Sequence, residues 1–454
     1  MSQVTSQVVP DGYKQTEVGV IPDDWTVSTL NSLTMKKRPI SYGIVQTGRK
    51  INGGIPCLRV LDIVDGKINS ENLIFTTQRI SDSYKRTQLI ENDLVMPLRG
   101  KVGEVGLISK ELVGANLTRG VALIALEKEY VPQYVKQALC SESAKNRLLN
   151  SMNGSALQEI SIGTLRSFKL VIPQSSKEQT AIANALSDVD ALLNELDKLI
   201  AKKQAIKTAT MQQLLTGKTR LPQFATYTDG DKQGQTKGTQ PSELGEIPED
   251  WDVYVINDVT ESLSSGGTPF RGSKSFYKGT NLWITSGELK YGRITDTIEK
   301  INNEAIKASH LKVHPEGTFL MAITGLEAAG TRGSCGIVGK PATTNQSCMA
   351  IYPNKQLTSE FLFHWYVYNG DELALKYCQG TKQLSYTAGL LKTLPILLPK
   401  NPEEQTAIAI ILSDMDEDIQ LLKQRLSKTR QIKQGMMQEL LTGKTRLIQG
   451  EAHD

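Results

Sequence analysis

A tandem duplication constrains the fold of this chain more than any other feature. The stretch LLTGKTRL begins at Leu214 and again at Leu440, an offset of 226 in a chain of 454 residues. The same offset relates EVGVIPDDW (17–25) to ELGEIPEDW (243–251) and EQTAIANALSDVD (178–190) to EQTAIAIILSDMD (404–416). This period is much longer than that of a solenoid repeat. The chain is therefore expected to build one structure twice.

The similarity between the two copies is uneven. Residues 26–150 and 252–376 have almost no letters in common, although the segments around them are nearly identical. We call residues 26–172 and 252–398 the first and second variable segments. The first holds 20 Lys and Arg against 12 Asp and Glu, and the second holds 14 against 12. The shared parts are typical of a frame, and the divergent parts are typical of exchangeable modules. The positive excess of the first variable segment favours binding of a polyanionic partner.

Both variable segments are predicted to have a mixed α/β fold. Short β-rich runs such as VGLIS and VALIAL in the first segment, or GTFLMAI and CGIVG in the second, are separated by Gly and Asn. A helical stretch follows in each segment, and an apolar exit, FKLVIP or LPILLP, leads into the next shared part.

Each shared part contains a long predicted helix with a heptad seam. Residues 176–215 hold no Gly or Pro, and their apolar positions advance in steps of four and three, as in a coiled coil. Ser175 with Glu178 predicts a capping box, Asn401 predicts a cap, and Gly217 and Gly443 predict helix ends. The predicted seam residues are Ile182, Leu186, Val189, Leu193, Leu196, Ile200, Ile408, Leu412, Met415, Ile419, Leu422 and Leu426.

Helices of this length would each extend about 60 Å. Nothing within one copy is expected to cover such a seam, so we predict that the two helices pair antiparallel about an approximate two-fold axis. The alternative is that each helix lies on its own domain.

The GKT of LLTGKTRL is not predicted to be a phosphate loop. That motif needs a glycine five positions earlier, where Gln212 and Gln438 stand, and it follows a strand rather than a helix. We interpret the stretch as a helix end with a basic tail. Its cations could contact DNA phosphates, contact a partner or be solvated; they are Lys218, Arg220, Lys444 and Arg446.

Catalytic and metal-binding signatures are missing from the sequence. It lacks a GxGxxG that opens a helix, the [DNS]PP[YF] of amino-methyltransferases and GxSxG. Glu288-Leu289-Lys290 has nuclease-like spacing without its acidic partner, and His310 and His314 lack the glutamate of HExxH. Five cysteines without CxxC pairs indicate free thiols in a reducing cytoplasm. Without a long apolar run, neither a membrane span nor a secretion signal is predicted.

Loop-like stretches in the variable segments carry the side chains that contact bases and phosphates. Arg pairs with guanine edges, Asn and Gln pair with adenine, and Lys or Ser contacts phosphate. Solvated loops have the same composition, so these residues are candidates only. They are Arg38, Gln46, Arg49, Arg86, Arg99 and Lys101 in the first segment, and Thr268, Arg271, Lys274, Lys278, Arg332 and Lys382 in the second. Trp25 and Trp251 are interpreted as packing anchors.

In combination, these motifs resemble the specificity subunit of Type I restriction–modification systems. The resemblance rests on E-x-G-x-IP-x-DW before each variable segment, SSGGTP at 264–269, P-x(5)-QTAIA at each helix start and LLTGKTRL at each helix end. The first variable segment lacks SGGTP and has SYGIVQTGRK instead. The two segments are therefore expected to recognise different half-sites.

The resemblance implies a division of the chain and a set of partners. It implies two α/β target-recognition domains, 1–172 and 243–398, two spacer elements, 173–221 and 399–454, and a polar linker, 222–242. The spacer would be an antiparallel coiled coil, and the target a bipartite asymmetric site in double-stranded DNA. Two methyltransferase subunits, which use S-adenosylmethionine, would dock on this chain. Two motor-nuclease subunits, which use ATP and magnesium, would complete the complex. The chain itself would bind no cofactor and catalyse no reaction. Two alternatives stay open: a coiled-coil adaptor for two protein-binding domains, and an enzyme with an unrecognised site.

Overall fold

The computed structural model describes residues 9–49, 51–152, 159–327, 330–378 and 384–447. The chain divides into two compact units, residues 1–197 with 424–454 and residues 198–423. We call these the first and second units. Each unit therefore combines one variable segment with parts of both long helices. Within the described ranges, no helix is long and apolar enough to span a membrane.

The first unit consists mainly of short strands. They are β1 (Tyr13–Thr16), β2 (Gly19–Pro22), β3 (Trp25–Thr29), β4 (Ser41–Tyr42), β5 (Ile55–Leu58), β6 (Ile63–Val64), β7 (Lys67–Ile68), β8 (Ile74–Thr76), β9 (Leu94–Pro97), β10 (Gly106–Leu107), β11 (Asn116–Leu117), β12 (Val121–Ile124) and β13 (Lys169–Pro173). Its helices are α1 (Gln78–Ser83), α2 (Pro132–Cys140), α3 (Glu142–Asn150), α4 (Ile162–Ser167) and the start of α5 (Ser176–Leu215).

The second unit has a similar set of elements. Its strands are β14 (Thr239–Ser242), β15 (Gly245–Pro248), β16 (Trp251–Val255), β17 (Thr260–Ser265), β18 (Asn281–Ile284), β19 (Gly292–Ile294), β20 (Lys300–Ile301), β21 (Phe319–Ala322), β22 (Cys335–Val338), β23 (Ala342–Thr344), β24 (Cys348–Pro353) and β25 (Pro395–Pro399). Its helices are α6 (Asn303–Ala308), α7 (Ser359–Tyr377), α8 (Ala388–Lys392) and the start of α9 (Pro402–Leu440).

The inner strands of the first unit are buried on both faces. They lie in a four-stranded sheet of order β10-β9-β12-β4, next to a three-stranded sheet of order β11-β5-β8. Along β9, Leu94 and Met96 pack into one core with the helices, whereas Val95 packs into a second core with Leu58 and Leu117. Because both faces of β9 are covered, its sequence is a continuous apolar run rather than an alternating one.

The two variable segments share one order of elements despite their different letters. The second unit has a five-stranded sheet, β17-β24-β21-β22-β19, and a three-stranded sheet, β20-β18-β23. After β5 and β18, the carboxylates of Asp62 and Glu288, 226 positions apart, accept from the amides of Arg59 and Thr285 at 2.7 and 2.8 Å. The predicted mixed α/β class is confirmed.

An antiparallel strand pair closes each variable segment. In the first unit β3 pairs with β13, so that Trp25 lies opposite Pro173. In the second unit β16 pairs with β25, so that Trp251 lies opposite Pro399. The entrance and exit of each variable segment therefore lie side by side, and the residues between them can change without moving the frame.

The segment expected to be a polar linker, 222–242, is partly structured. Its last four residues form β14, which pairs with β15 in a hairpin equivalent to that of β1 and β2. This hairpin thus begins before residue 243, the start that the resemblance implied for the second recognition domain.

The end of each repeat completes the core of the other repeat. In the first unit, Arg446 donates from Nε to Oε1 of Glu178 at 2.5 Å and from its terminal nitrogens to Asp24 at 2.8 and 3.0 Å. Trp25 donates from Nε1 to Oε2 of Glu178 at 3.1 Å, and the guanidinium lies 5.7 Å from a Trp25 ring centroid. We call Trp25, Asp24, Glu178 and Arg446 the first clamp.

The second unit repeats this arrangement with the roles of the two copies exchanged. Arg220 bonds to Glu404 at 2.7 and 2.8 Å and to Asp250 at 2.7 and 2.9 Å, and Trp251 donates to Glu404 at 3.3 Å. These four residues form the second clamp. Hydrogen bonding by Arg446 lowers the pKa of Asp24, whereas burial raises the pKa of the Glu404 carboxyl against the effect of Arg220.

The clamps correct two expectations from the sequence. Arg220 and Arg446 are not free basic tails, because both guanidinium groups are held by buried carboxylates. The recorded bonds of the Glu178 side chain go to Trp25 and Arg446 rather than to the predicted capping box with Ser175. Asn401 does cap α9, accepting from the Glu403 amide at 2.9 Å.

Glycine ends both long helices, as predicted, and also permits a close approach. Gly217 and Gly443 have φ of 69° and 71°, a left-handed conformation that favours glycine. A Cβ at Gly443 would lie 2.4 Å from the ring of Pro22, and one at Gly217 would lie 2.5 Å from that of Pro248. The helix ends therefore rest directly on the IP turns of the other repeat.

The long helices run antiparallel within each unit. In the first unit Lys433 pairs with Asp190 at 2.7 Å and Arg430 with Asp197 at 3.6 Å, so positions rise on α5 as they fall on α9. In the second unit Lys207 pairs in the same sense with Asp416 at 2.6 Å. The predicted seam residues are all buried or half-buried.

The heptads indicate that only the other long helix covers each seam, but the start of the seam also packs against residues of its own repeat. Ile182 and Leu186 lie in one core with Trp25 and Tyr134 of their own repeat, and with Leu440 of the other. The expectation that nothing within one copy covers the seam is therefore wrong at this end, because the variable segment packs against the first turns of α5.

Replacing Arg446 with Met should lower the free energy of unfolding of the first unit by about 3 kcal/mol, because the Glu178 carboxyl, only 2% exposed, would stay buried without its cation. Replacing Arg430, which lies within α9, with Met is the matched control. Its pair with Asp197 is about half exposed, so the change should cost no more than about 1 kcal/mol. Denaturant unfolding, with amide exchange of first-unit peptides, measures both; equal effects would contradict the role given to the clamp.

Candidate nucleic-acid interface

Equivalent loops leave β4 and β17, and each crosses a neighbouring strand at a glycine. A Cβ at Gly43 would lie 2.0 Å from the carbonyl oxygen of Leu117, and one at Gly266 would lie 1.9 Å from that of Thr344. The next residue donates its amide to the same carbonyl, Ile44 at 2.6 Å and Gly267 at 3.0 Å. We call residues 44–49 and 267–272 the first and second crossing loops. The same structural feature, a loop that crosses a neighbouring strand at a glycine, is therefore built by two different sequences, SYGIVQTGR and SSGGTPFRG.

Several candidates of the first variable segment are exposed. Gln46 and Arg49 lie on the first crossing loop, Arg86 on a turn after α1, and Arg99 after β9. Among the described residues, the side chains of Gln46, Arg49 and Arg86 make no recorded hydrogen bond or ion pair. These side chains can therefore contact a ligand without breaking an internal bond.

Two other candidates of the first segment are engaged inside the protein. Arg38 makes two hydrogen bonds of 2.7 Å to the Asp93 carboxylate and one of 2.7 Å to the Gln88 carbonyl, and its side chain is only 17% exposed. Lys101 donates to the Ile63 carbonyl at 3.1 Å. The structure thus gives Arg38 a role in holding the chain before β4.

The candidates of the second variable segment fall into three groups. Lys274 and Lys278 are exposed on the turn that follows the second crossing loop. Thr268 is exposed but bonds to Gln346 at 2.5 Å, and Arg332 bonds to Asp371 at 2.9 Å. Arg271, described below, pairs with Glu299. Lys382 lies outside the described residues.

Sequence reasoning missed Gln346 and Asn345, which follow β23 beside the second crossing loop. Gln346 is exposed and touches Thr268, so its amide joins the same surface. An amide pairs well with adenine. No local motif marks this pair; only the crossing of Gly266 over Thr344 brings the two segments together.

The tryptophans and the suspected catalytic residues have structural roles. Trp25 and Trp251 are fully buried, which confirms that they are packing anchors. Glu288 accepts from the Thr285 amide and, through its other oxygen, from the Ile298 amide, each at 2.8 Å. His314 is buried between Tyr352 and Thr344, and burial lowers its pKa to about 4.

Comparison with known families decides between the alternatives. The model of the Type I restriction modification DNA specificity domain matches residues 22–208 and again residues 248–431. The chain belongs to this family. Both repeats are specificity domains, and the resemblance inferred from the motifs is confirmed.

Curated relatives are specificity subunits. The chain is 30% identical over 198 residues to the EcoBI specificity subunit of Escherichia coli, covering 43% of this chain and 40% of that protein. It is 25% identical to the putative MjaX specificity subunit of Methanocaldococcus jannaschii, covering 96% and 97% of the two chains. The chain is thus a noncatalytic specificity subunit with two tandem recognition domains.

Solved structures share the fold. The S subunit of M. genitalium superposes with a TM-score of 0.56 at 15% identity, over 92% of this chain and 96% of that one. A chain from a study of complex assembly and conformational transition of the type I R-M system gives a TM-score of 0.52 at 15% identity, over 94% and 99%.

Replacing Gly266 with Ala should lower the free energy of unfolding by about 1–3 kcal/mol, because the added methyl overlaps the Thr344 carbonyl and the crossing must open. Gly292 in β19 is the matched control, since a Cβ there meets nothing within 4 Å. Denaturant midpoints and the amide exchange of residues 266–270 test this. Unchanged exchange in the Gly266 variant would contradict the close approach.

Proposed function

We propose that the specificity subunit binds double-stranded DNA through two half-sites, one for each variable segment. The observation that carries the proposal is the pair of crossing loops. They have one backbone plan, and they present different exposed side chains from two segments that share almost no sequence. A common scaffold with unlike contact residues suits a bipartite, asymmetric target.

In the first half-site, Arg49, Arg86 and Gln46 are the proposed contacts. All three are exposed and without a recorded internal partner among the described residues. Arg can bond bidentately to guanine, and Gln can do so to adenine. The excess of cations in the first variable segment adds attraction to phosphates, which is independent of base sequence.

In the second half-site, we assign phosphate contacts to Lys274 and Lys278 and base contacts to Thr268 and Gln346. The two lysines lie within one short turn and its end, so they can bind neighbouring phosphates. Thr268 and Gln346 already bond to each other, and this contact fixes the orientation of the amide.

We also propose that α5 and α9 form one antiparallel coiled coil that sets the number of unspecified base pairs between the half-sites. The ion pairs within each unit and the buried heptad positions support this. Half-sites near one helical turn apart present the same face of a duplex.

The partner assignments are proposals of the same kind. We propose docking of two methyltransferase subunits, which use S-adenosylmethionine, and of two motor-nuclease subunits, which use ATP and magnesium. The family membership supports this assembly. We place it in the cytoplasm, since Cys57, Cys335 and Cys348 are buried free thiols, as suits a reducing compartment.

The salt dependence of DNA binding tests the two lysines. Replacing Lys274 and Lys278 with Gln should weaken binding to all sequences equally. It should also reduce the slope of log affinity against log salt by about 1.8, because each phosphate contact contributes about 0.9. Replacing Lys392 with Gln, an exposed lysine on α8, is the control and should leave the slope unchanged. Titrations at several salt concentrations measure both variants.

If the wild-type subunit, with or without its methyltransferase, shows no salt-dependent affinity for any duplex, the DNA-binding proposal fails. If the wild-type subunit binds DNA and replacing both lysines changes neither the affinity nor its salt dependence, the phosphate contacts are made by other residues.

Exchanging residues 26–172 for the corresponding segment of another specificity subunit should change one half-site and leave the other half-site and the gap unchanged. The closing pair of β3 and β13 keeps the ends of the segment together, so the frame is preserved. Sequencing of methylated motifs in cells with the chimera and its methyltransferase gives the result. A change in both half-sites would disprove independent recognition.

A further inference from the structure

Two apolar side chains of the second unit are unusually exposed. Ile298 is 91% exposed and Phe270 is 73% exposed, the highest values among the large hydrophobic residues in the described ranges. Single exposed apolar residues are common on protein surfaces and need no explanation. These two differ because each directly adjoins one member of the same ion pair, Phe270 beside Arg271 and Ile298 beside Glu299.

The ion pair joins the two segments that carry them. Arg271 donates to the two carboxylate oxygens of Glu299 at 2.7 and 2.9 Å. Its guanidinium also lies 4.4 Å from the ring centroid of Tyr277 and 5.0 Å from that of Trp283. Bidentate and stacked contacts of this kind fix a guanidinium more firmly than a single exposed pair. Arg271, a candidate for base contact, thus braces the surface.

The second crossing loop holds Phe270 in place. Pro269, just before it, is buried, and its carbonyl accepts from the Tyr277 hydroxyl at 2.6 Å. The Phe270 carbonyl accepts from the Ser273 amide at 3.1 Å, which closes a turn. A Cβ at Gly272 would lie 2.5 Å from the ring, so the ring rests against the chain at this glycine. The exposed ring is therefore ordered by its own loop.

The segment with Ile298 is held as firmly. The Ile298 amide donates to Glu288 at 2.8 Å, and the Thr297 hydroxyl donates to the Glu299 carbonyl at 2.7 Å. Since Glu288 also caps the turn after β18, the backbone at Ile298 is tied to the sheet. Both apolar side chains thus stand on ordered backbone, which limits the entropy lost when a ligand binds.

We propose that Phe270, supported by Ile298, is an apolar wedge that inserts between two base pairs of the second half-site. The proposal rests on DNA binding as proposed above. Proteins that bend DNA use apolar side chains in this way, unstacking one base step to gain contact elsewhere. Lys274 and Lys278, exposed on the adjoining turn, supply the phosphate contacts that would hold the duplex against the wedge.

The wedge belongs to one half of the target only. Phe270 lies four positions after Gly266, and the residue four positions after Gly43 in the first variable segment is Thr47. A threonine side chain is too small and polar to replace a stacked neighbour. Unstacking is therefore expected in the second half-site and not in the first.

Duplexes with 2-aminopurine at single positions of the methylation motif test the wedge, because this base fluoresces more strongly when it is unstacked. A methyltransferase unstacks the bases beside its own target base, because it flips that base out of the duplex. Away from the methylated bases, the wild-type subunit in complex with its methyltransferase should brighten one step in the second half-site and none in the first. Phe270→Ala should abolish that signal and weaken specific binding about tenfold or more, and Phe270→Leu should keep part of both. Leu375→Ala, which removes another exposed apolar side chain of the second unit, is the control and should change neither.

The possible results separate this proposal from DNA binding itself. If wild-type protein binds its motif and Phe270→Ala binds equally well, or if no step away from the methylated bases brightens, the wedge is overturned while DNA binding stands. If Phe270→Ala weakens binding without any unstacking signal, and replacing a thymine with uracil causes an equal loss, the ring contacts a thymine methyl group instead. If wild-type protein binds no duplex, DNA binding as proposed fails as well.

Discussion

The fold depends on two buried carboxylates that, in the described part of the chain, bond to no cation of their own repeat. Glu178 and Glu404, each at the start of a long helix, are 2% and 1% exposed. Burying a carboxylate is costly unless a cation and further hydrogen bonds accompany it. Arg446 and Arg220 meet this need, and each comes from the far end of the opposite repeat. The direction of both helices and the seating of each LLTGKTRL on an IP turn follow from this exchange.

The variable segments differ freely because their constraints lie elsewhere. Each is closed by a strand pair with a buried tryptophan at its edge, and its inner strands need only be apolar on both faces. Many sequences satisfy those conditions. The surface that faces a ligand is then set by the crossing loops and the turns near them, whose backbones are fixed by close approaches rather than by particular side chains.

The long helices could be predicted from the sequence because their determinants are local. The heptads and the absence of Gly and Pro fixed 176–215, which α5 matches. The roles of Arg38, Arg220 and Arg446 could not be predicted. Their acidic partners lie 30 or more positions away, and only the folded chain brings them together. The equivalence of Gly43 and Gly266 was hidden for the same reason, because each is required by a strand distant in sequence.

The first clamp also has a consequence for synthesis of the chain. Domains generally fold in order as they leave the ribosome, the amino-terminal one first. Here the amino-terminal unit lacks its closing arginine and the apolar cap formed by Leu440 and Leu441 until the end of the second repeat has been made. A truncated product would expose a bare carboxylate and an open core, features that quality-control proteases act on. Closure of the first unit thus depends on synthesis of the whole second repeat.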